Sequence, residues 1–281
     1  MSAKSTDKRV ILLGDIHAGH RVGLTPESYD QRPSKLGNEV TERYKRQVSR
    51  WYKIRRALWR EYTGLVDMLT DPESLQDREL VVVGNGDMVD GTGYRSGGTE
   101  QITTDMSIQA DIAISCLAKW QASKYYLTYG TASHTGTSMD VEDMVADALD
   151  APIKSHLHLD VNGVVFDIKH HPASGSSMPH TRKGPTVDAL HNMSWAKEGL
   201  QPEGDVFIRN HLHWFKYTGD HNQLCIQMPA LQGMGSKYGA RRCHAPVHWG
   251  LAWFDVDADG SYSWDYAIKT IEEQKAKTER A

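Results

Sequence analysis

Cysteine is nearly absent from this chain. Cys116, Cys225 and Cys243 are the only three in 281 residues, and an odd, scattered set excludes a disulfide framework or a zinc knuckle of paired cysteines. We read them as reduced. Long apolar runs are missing too: no stretch approaches the ~18 residues of a membrane span, and the opening MSAKSTDKRV has no apolar core of the kind a secretory signal needs. A cytoplasmic protein without a membrane partner is expected. Positive charge is also in short supply. A formal charge of −4 argues against a protein that coats nucleic acid, while leaving room for a local basic patch. No internal repeat or low-complexity tract is found.

Histidine, by contrast, is abundant, with 14 residues. It is the commonest metal ligand and a common acid–base group, so its placement matters. At 39% hydrophobic and 24% charged the chain can bury a large core. We expect one domain over 9–270, between an N-terminal tail (1–8) and a charged C-terminal tail (271–281). Strand-like runs fall at 9–14, 79–84, 124–129, 161–170, 205–210, 223–228 and 250–256. Helical patterns fall at about 38–70, 103–122 and 142–149. In the first of these, Val48, Trp51, Ile54, Leu58, Tyr62, Leu65 and Leu69 recur at three- and four-residue intervals, one face of a helix. Early strands separated by helices suggest a layered α/β core, and the turn signals VNG and DADG give the later strands a more antiparallel look.

Five strand ends are polar. ILLGDIHAGH places Asp15 and His17 where an apolar strand stops, and in an extended chain both project to one side. VVVGNGDMVDG delivers Asn85, Asp87 and Asp90 in the same way. YYLTYGTASHTG ends with His134, VVFDIKHH with His170 and His171, and DVFIRNHLHWF with His211 and His213. A single polar strand end is a turn; five imply a shared crevice, because ligands of α/β sheets bind outside the carboxyl ends of the strands. Mixed carboxylate and imidazole ligands suit Zn, Mn, Fe or Ni better than Ca or Mg.

The series GDIHAG, GNGDMVDG, YGTASH, KHH and NHLH resembles the calcineurin-like metallophosphoesterase superfamily over about 9–255. The resemblance implies a four-layered sandwich of two mixed β-sheets flanked by helices, in a single α/β domain. It implies two divalent transition-metal ions, Mn foremost, with Fe, Zn or Ni as alternatives. Asp15, His17 and His213 would bind the first ion, Asp87 would bridge, and His170, chosen narrowly over His171, would join His211 on the second. Asp90 would support the site. A metal-bound hydroxide would then attack phosphorus in line with the leaving oxygen.

Two departures stand out. Asn210 replaces a glycine of the family pattern, which we read as a change in backbone freedom alone. GTASHTG lacks the family's metal-binding Asn and the immediate His–acid pair, so His134 is read as a displaced catalytic acid or a replacement ligand, with Thr131, Ser133 or water in place of the amide. Asp140, Glu142 and Asp143 are the expected partners that orient its ring. For substrate, Arg182, Lys183, Lys237, Arg241 and Arg242 could bind phosphate, and Trp195, Trp214 and Tyr238 could stack on a base. The preferred activity is a phosphodiesterase or nuclease acting on nucleic acid or a nucleotide. The alternative is a phosphomonoesterase acting on nucleotides or phosphoproteins, and a non-catalytic binding module is third.

Overall fold

Val10–Leu13 and Val81–Val83 are apolar without alternation, a pattern that suits strands covered on both faces. In the computed structural model, which describes residues 6–30, 41–136, 139–173, 184–237, 240, 246–276 and 278, both runs are central strands. The strands are β1 (Lys8–Leu13), β2 (Glu79–Asn85), β3 (Lys124–Thr128), β4 (Ile153–Lys154), β5 (Leu157–Val161), β6 (Val164–Lys169), β7 (Val206–Arg209), β8 (Lys216–Gly219), β9 (Leu224–Gln227), β10 (Trp249–Val256) and β11 (Tyr262–Lys269). One sheet has the order β11-β10-β1-β2-β3-β4 and the other β5-β6-β7-β9-β8. Both are mixed. β1 through β4 run parallel, β10 lies antiparallel to β1, and β11 lies antiparallel to β10; in the second sheet β6, β7 and β9 are parallel, edged by antiparallel β5 and β8.

The helices are α1 (Glu42–Thr70), α2 (Pro72–Leu75), α3 (Met106–Ala118), α4 (Ala132–Thr135), α5 (Val141–Ala148) and α6 (Gly184–Lys197). Alternate residues of the central strands face opposite layers. Val10, Leu12, Val81 and Val83 pack against Phe166, Ile168, Val206 and Ile208 between the sheets, with Phe166 and Phe254 edge-to-face at 5.0 Å. Ile11, Leu13 and Val82 instead join residues of α1, α3 and α5. On the far side Ala189 of α6 packs with Phe207 and Cys225. The result is helix, sheet, sheet, helix, the four-layered single-domain α/β sandwich expected. Among the described residues no helix is long and apolar enough to cross a membrane.

Several elements differ from their sequence reading. The run at 161–170 is two structures: the Asn162–Gly163 turn, with φ of 54° and 92°, closes a β5–β6 hairpin of the kind Asn-Gly favours. β4, β5, β8, β11 and α6 carry no clear signal in sequence. β11 is largely exposed, and α6 buries Gly184, Pro185, Asp188, Ala189 and Asn192 rather than an apolar stripe. The expected start of α1 near residue 38 lies outside the described residues; the helix is capped at Thr41, whose hydroxyl accepts the Tyr44 N–H at 3.3 Å. Within it Ile54, Leu58, Tyr62, Leu65 and Leu69 are buried, as their spacing predicts. Cys116 and Cys225 are buried free thiols. Ile271, assigned to the tail, packs into the helical-side core.

Candidate metal centre at the strand ends

Beneath the five polar strand ends lies a buried amide network that joins the two sheets. The Asn85 side-chain NH₂ donates to the Asn210 side-chain oxygen at 2.7 Å and to the Lys169 carbonyl at 3.1 Å. The Thr128 hydroxyl donates to the Asn85 side-chain oxygen at 2.6 Å, and the Gln227 amide to the Asn210 carbonyl at 2.7 Å. The Asn210 NH₂ reaches Asp15 Oδ2 at 3.0 Å. Asn210 is thus a structural bridge, which corrects the reading of it as a change in backbone freedom alone. Gly14 makes room for it: a Cβ there would meet Asn210 Nδ2 at 2.5 Å and the Asn85 carbonyl at 2.8 Å.

The backbone above this network is strained. Asp15, His17, Asp87, His211 and His213 have φ of 50°, 47°, 51°, 72° and 54°, the left-handed region that non-glycine residues seldom occupy. These are five of the six residues expected to hold metal. The sixth, His170, extends from the end of β6, and Gly86 passes so close that a Cβ would meet its Nδ1 at 2.5 Å.

The side chains converge. Asp15 Oδ2 is satisfied by Asn210 and by the His211 N–H at 3.2 Å. Asp15 Oδ1 is buried and accepts no hydrogen bond, yet His213 Nε2 lies 3.2 Å away and His17 and His170 Nε2 each 3.9 Å. Asp87 Oδ2 lies 3.1 Å from His170 Nε2 and 3.8 Å from His17 Nε2. The His17 and His170 rings are fixed from behind: their Nδ1 atoms face an Asp90 carboxylate oxygen and the Asn85 carbonyl, both at 2.8 Å. Both partners only accept, so each Nδ1 carries a hydrogen and Nε2 is the ring atom that each imidazole aims at the carboxylates.

Electrostatics agree with this geometry. Burial alone would raise the Asp15 and Asp87 carboxyls, but the charges of His213 and His170 hold both well below the ordinary range. Burial alone would lower His170, and the Asp87 and Asp15 carboxylates instead hold it up at about 10. His211 is pushed down to about 4 by burial and by the charge of His170, which leaves its ring neutral at physiological pH. A buried carboxylate oxygen without a hydrogen bond, encircled by imidazole Nε2 atoms, fits a divalent cation of the borderline-soft class. Asp15, His17 and His213 form one group of potential ligands within 4.8 Å of one another, and Asp15, Asp87 and His170 a second, with His170, His171 and His211 adjoining.

No family model matches the sequence, and no curated protein matches it. Among solved structures it is similar to vacuolar protein sorting 29 from Cryptosporidium parvum, at 11% identity and a TM-score of 0.47 over 95% of this chain and 100% of that one. It is also similar to an archaeal phosphodiesterase at 11% identity and a TM-score of 0.43, covering 92% and 99% of the two chains. A third is the Entamoeba histolytica vacuolar protein sorting 29 complexed with Zn²⁺, at 12% identity and a TM-score of 0.42, covering 92% and 98%.

At the third strand end Thr131 reaches the same cluster. Its hydroxyl lies 3.2 Å from Asp87 Oδ2 and His211 Nδ1, and 3.4 Å from Nε2 of both His170 and His171. Gly130 permits this approach, because a Cβ there would collide with Asp87 N and Oδ1. His134 flanks the other end, edge-on to His17 with ring centroids 4.8 Å apart. Its Nδ1 donates to the Asp90 carbonyl at 2.9 Å. The expected partners do other work: Asp140 caps α5, Asp143 accepts from the Tyr129 hydroxyl, and Glu142 accepts the Met88 and Gly130 N–H groups at 2.8 and 2.7 Å. Glu142 therefore shapes the loops that carry Asp87 and Thr131, a role the sequence did not disclose.

Lys237 donates its Nζ to the Thr99 hydroxyl at 3.0 Å and its N–H to Glu100 at 2.6 Å, which ties it to the loop before α3. Arg182, Lys183, Tyr238, Arg241 and Arg242 lie outside the described residues. Trp214 is buried, whereas Trp195 is 49% exposed but on α6, against the outer face of the second sheet.

Two outcomes are expected here. Asn210→Ala leaves the Asp15 and Asn85 groups short of a partner, at about 1–3 kcal/mol for each unpaired buried group, so its urea midpoint should fall clearly with unchanged secondary structure. Glu142 titrates: burial first, then the Asp87 charge, push its carboxyl from the ordinary 4.5 up to about 8, although the two N–H donors favour its charged form. A raised folded-state value means that its contribution to stability is full below pH 4.5 and is lost as pH rises through 8. In chelator, wild-type stability relative to Glu142→Gln should therefore decline from pH 5 to 8, by up to roughly 1.4 kcal/mol per pH unit. A constant difference between the two proteins across that interval would count against it.

Proposed function

We propose that this protein is a dinuclear metal-dependent phosphoesterase, with phosphodiesters of the nucleic-acid or nucleotide class as its preferred substrates. The observation that carries this reading is the buried, unpartnered Asp15 Oδ1 ringed by three imidazole Nε2 atoms. Asp15, His17 and His213 would hold one ion, and His170 and His211 the other, with Asp87 between them. Two such ions supply an activated water at neutral pH and positive charge for the phosphoryl oxygens.

The chain's own groups do the rest. Asp90 and the Asn85 carbonyl hold the Nδ1–H groups of His17 and His170, so that Nε2 of each ring faces inward, where a bound ion would displace any Nε2 proton. The strained left-handed backbone at five positions keeps the donors directed at one point. His134 is a partly exposed ring, at 31% for its side chain. With its Nδ1–H held by the Asp90 carbonyl, Nε2 is left free; once it has taken up a proton from solvent, the imidazolium would give that proton to the departing oxygen. Diesters are preferred over monoesters because basic residues follow two strand ends, Arg182 and Lys183 after β6 and Lys237, Arg241 and Arg242 after β9. Cations from two segments suit a chain of phosphates rather than one.

Loading with Mn²⁺, Zn²⁺ or Fe²⁺ followed by elemental analysis should give two ions per chain at this centre. Asp87→Asn should weaken both ions and abolish hydrolysis of bis-p-nitrophenyl phosphate, and wild-type turnover should exceed that of p-nitrophenyl phosphate, with single-stranded DNA also cleaved. Only trace metal in the loaded protein would sink the proposal, and faster turnover of the monoester would reassign the substrate. His134→Ala should lower kcat by roughly 10²–10⁴-fold while the metal content is retained. Parallel loss of metal and activity would make His134 a ligand instead.

A further inference from the structure

The SHLHLD segment carries a second histidine pair that the strand-end centre does not use. His156 and His158 are two residues apart at the start of β5, so both project from the same face. Leu157 and Leu159 fill the core between the sheets; the two imidazoles therefore lie on the outer face of the second sheet. β5 pairs with β6 in a register that sets His158 directly opposite Asp167. Cross-strand neighbours of this kind have Cβ atoms about 5 Å apart. Sequence inspection misses the triad because its third member joins only through the hairpin.

His156 Nε2 lies 2.9 Å from Asp167 Oδ1, and His158 Nε2 lies 3.4 Å from Oδ2. Neither makes a hydrogen bond of acceptable geometry, and both nitrogen atoms are buried. The rings are 4.1 Å apart. Asp167 itself is 1% exposed. Arg209 grips it, donating from Nη2 to Oδ1 at 2.7 Å and from Nη1 to the Asp167 carbonyl at 2.7 Å. Arg209 Nε continues to Asp188 at 2.9 Å, and Lys169 closes on the same carboxylate at 2.6 Å. A cavity of about 120 Å³, lined by His156, Asp167, Lys169, Asp188, His191 and Trp195 among others, opens onto this group.

We propose that His156, His158 and Asp167 form a separate mononuclear site for a Zn²⁺-class ion, on the outer face of the second sheet. Two imidazole nitrogens and one carboxylate oxygen are ligands within 4.8 Å of one another, and a water or His191 from the cavity completes the set. The oxygen that binds is Oδ2, because Oδ1 is held by Arg209, and that hydrogen bond orients the carboxylate. One guanidinium, Arg209, and one ammonium, Lys169, offset the two carboxylates Asp167 and Asp188 here. With no net negative charge to attract a hard cation, affinity comes from the imidazoles, which selects Zn²⁺, Co²⁺ or Ni²⁺ over Mg²⁺ and Ca²⁺.

The inference is independent of the proposed activity, and its test keeps the two apart. Full-length protein loaded with Co²⁺ or Zn²⁺ and desalted should contain one ion fewer per chain in His156→Ala/His158→Ala than in wild type. Asp87→Asn should keep that ion whatever becomes of the strand-end centre. Anomalous diffraction from wild-type crystals grown with Zn²⁺ should give a peak between His156 and His158 Nε2, a readout that needs no variant to fold. An unchanged ion count in the folded double variant, or an anomalous map without that peak, overturns the site.

Discussion

Two facing amides, Asn85 and Asn210, hold the rest of the centre in place. Each comes from a different sheet, both are buried, and their mutual hydrogen bond at 2.7 Å lies at the centre of the polar ties between layers that otherwise pack largely through hydrocarbon. Apolar packing tolerates small sliding, whereas a buried amide pair with every lone pair assigned has one acceptable register. The tie propagates directly: Asn210 holds Asp15 Oδ2, and the Asn85 carbonyl holds His170. The spacing of the carboxylates and imidazoles above is a consequence of that registration.

The left-handed residues make the same point from the side of cost. Five of them crowd one edge of the sandwich, each at about 1–3 kcal/mol, and nothing in their sequence relieves it. The compensation is distributed: the apolar layers on both sides of each sheet, the Glu142 carboxylate clasping the Met88 and Gly130 N–H groups, and Gln109, which accepts from the Asp90 and Gly91 N–H groups at 3.0 and 2.9 Å. These partners lie outside the motifs and fix their conformation.

That division explains what could be read from the sequence alone. Uninterrupted apolar runs gave away β1 and β2, and the three-four rhythm of Ile54, Leu58, Tyr62, Leu65 and Leu69 gave away α1, because each is fixed by a local period. Asp15, His17, Asp87, His170, His211 and His213 stood out because strand ends are where polar residues have a reason to be. What escaped depends on long-range pairing. The use of the Asn210 amide as a bridge, the Asp90 carbonyl behind His134 and the Thr131 hydroxyl among four histidine and carboxylate partners all arise only after the sheets have docked. α6 and β11 escaped for a different reason: one buries polar groups and the other is exposed along most of its length, so neither carries an apolar rhythm.

The same dispersal has a consequence for how the molecule is assembled. The ligand atoms proposed above, from Asp15 to His213, span nearly two hundred residues of chain, and each segment brings only a short fragment of the set. An ion held by them would be held by the docked sandwich rather than by the unfolded chain, and its binding free energy would accrue to the native state. Contacts of such separation form late on the route to the fold. Under the proposed metal binding, ion occupancy would act as a seal on completed folding, closing over a molecule whose two layers have already found each other.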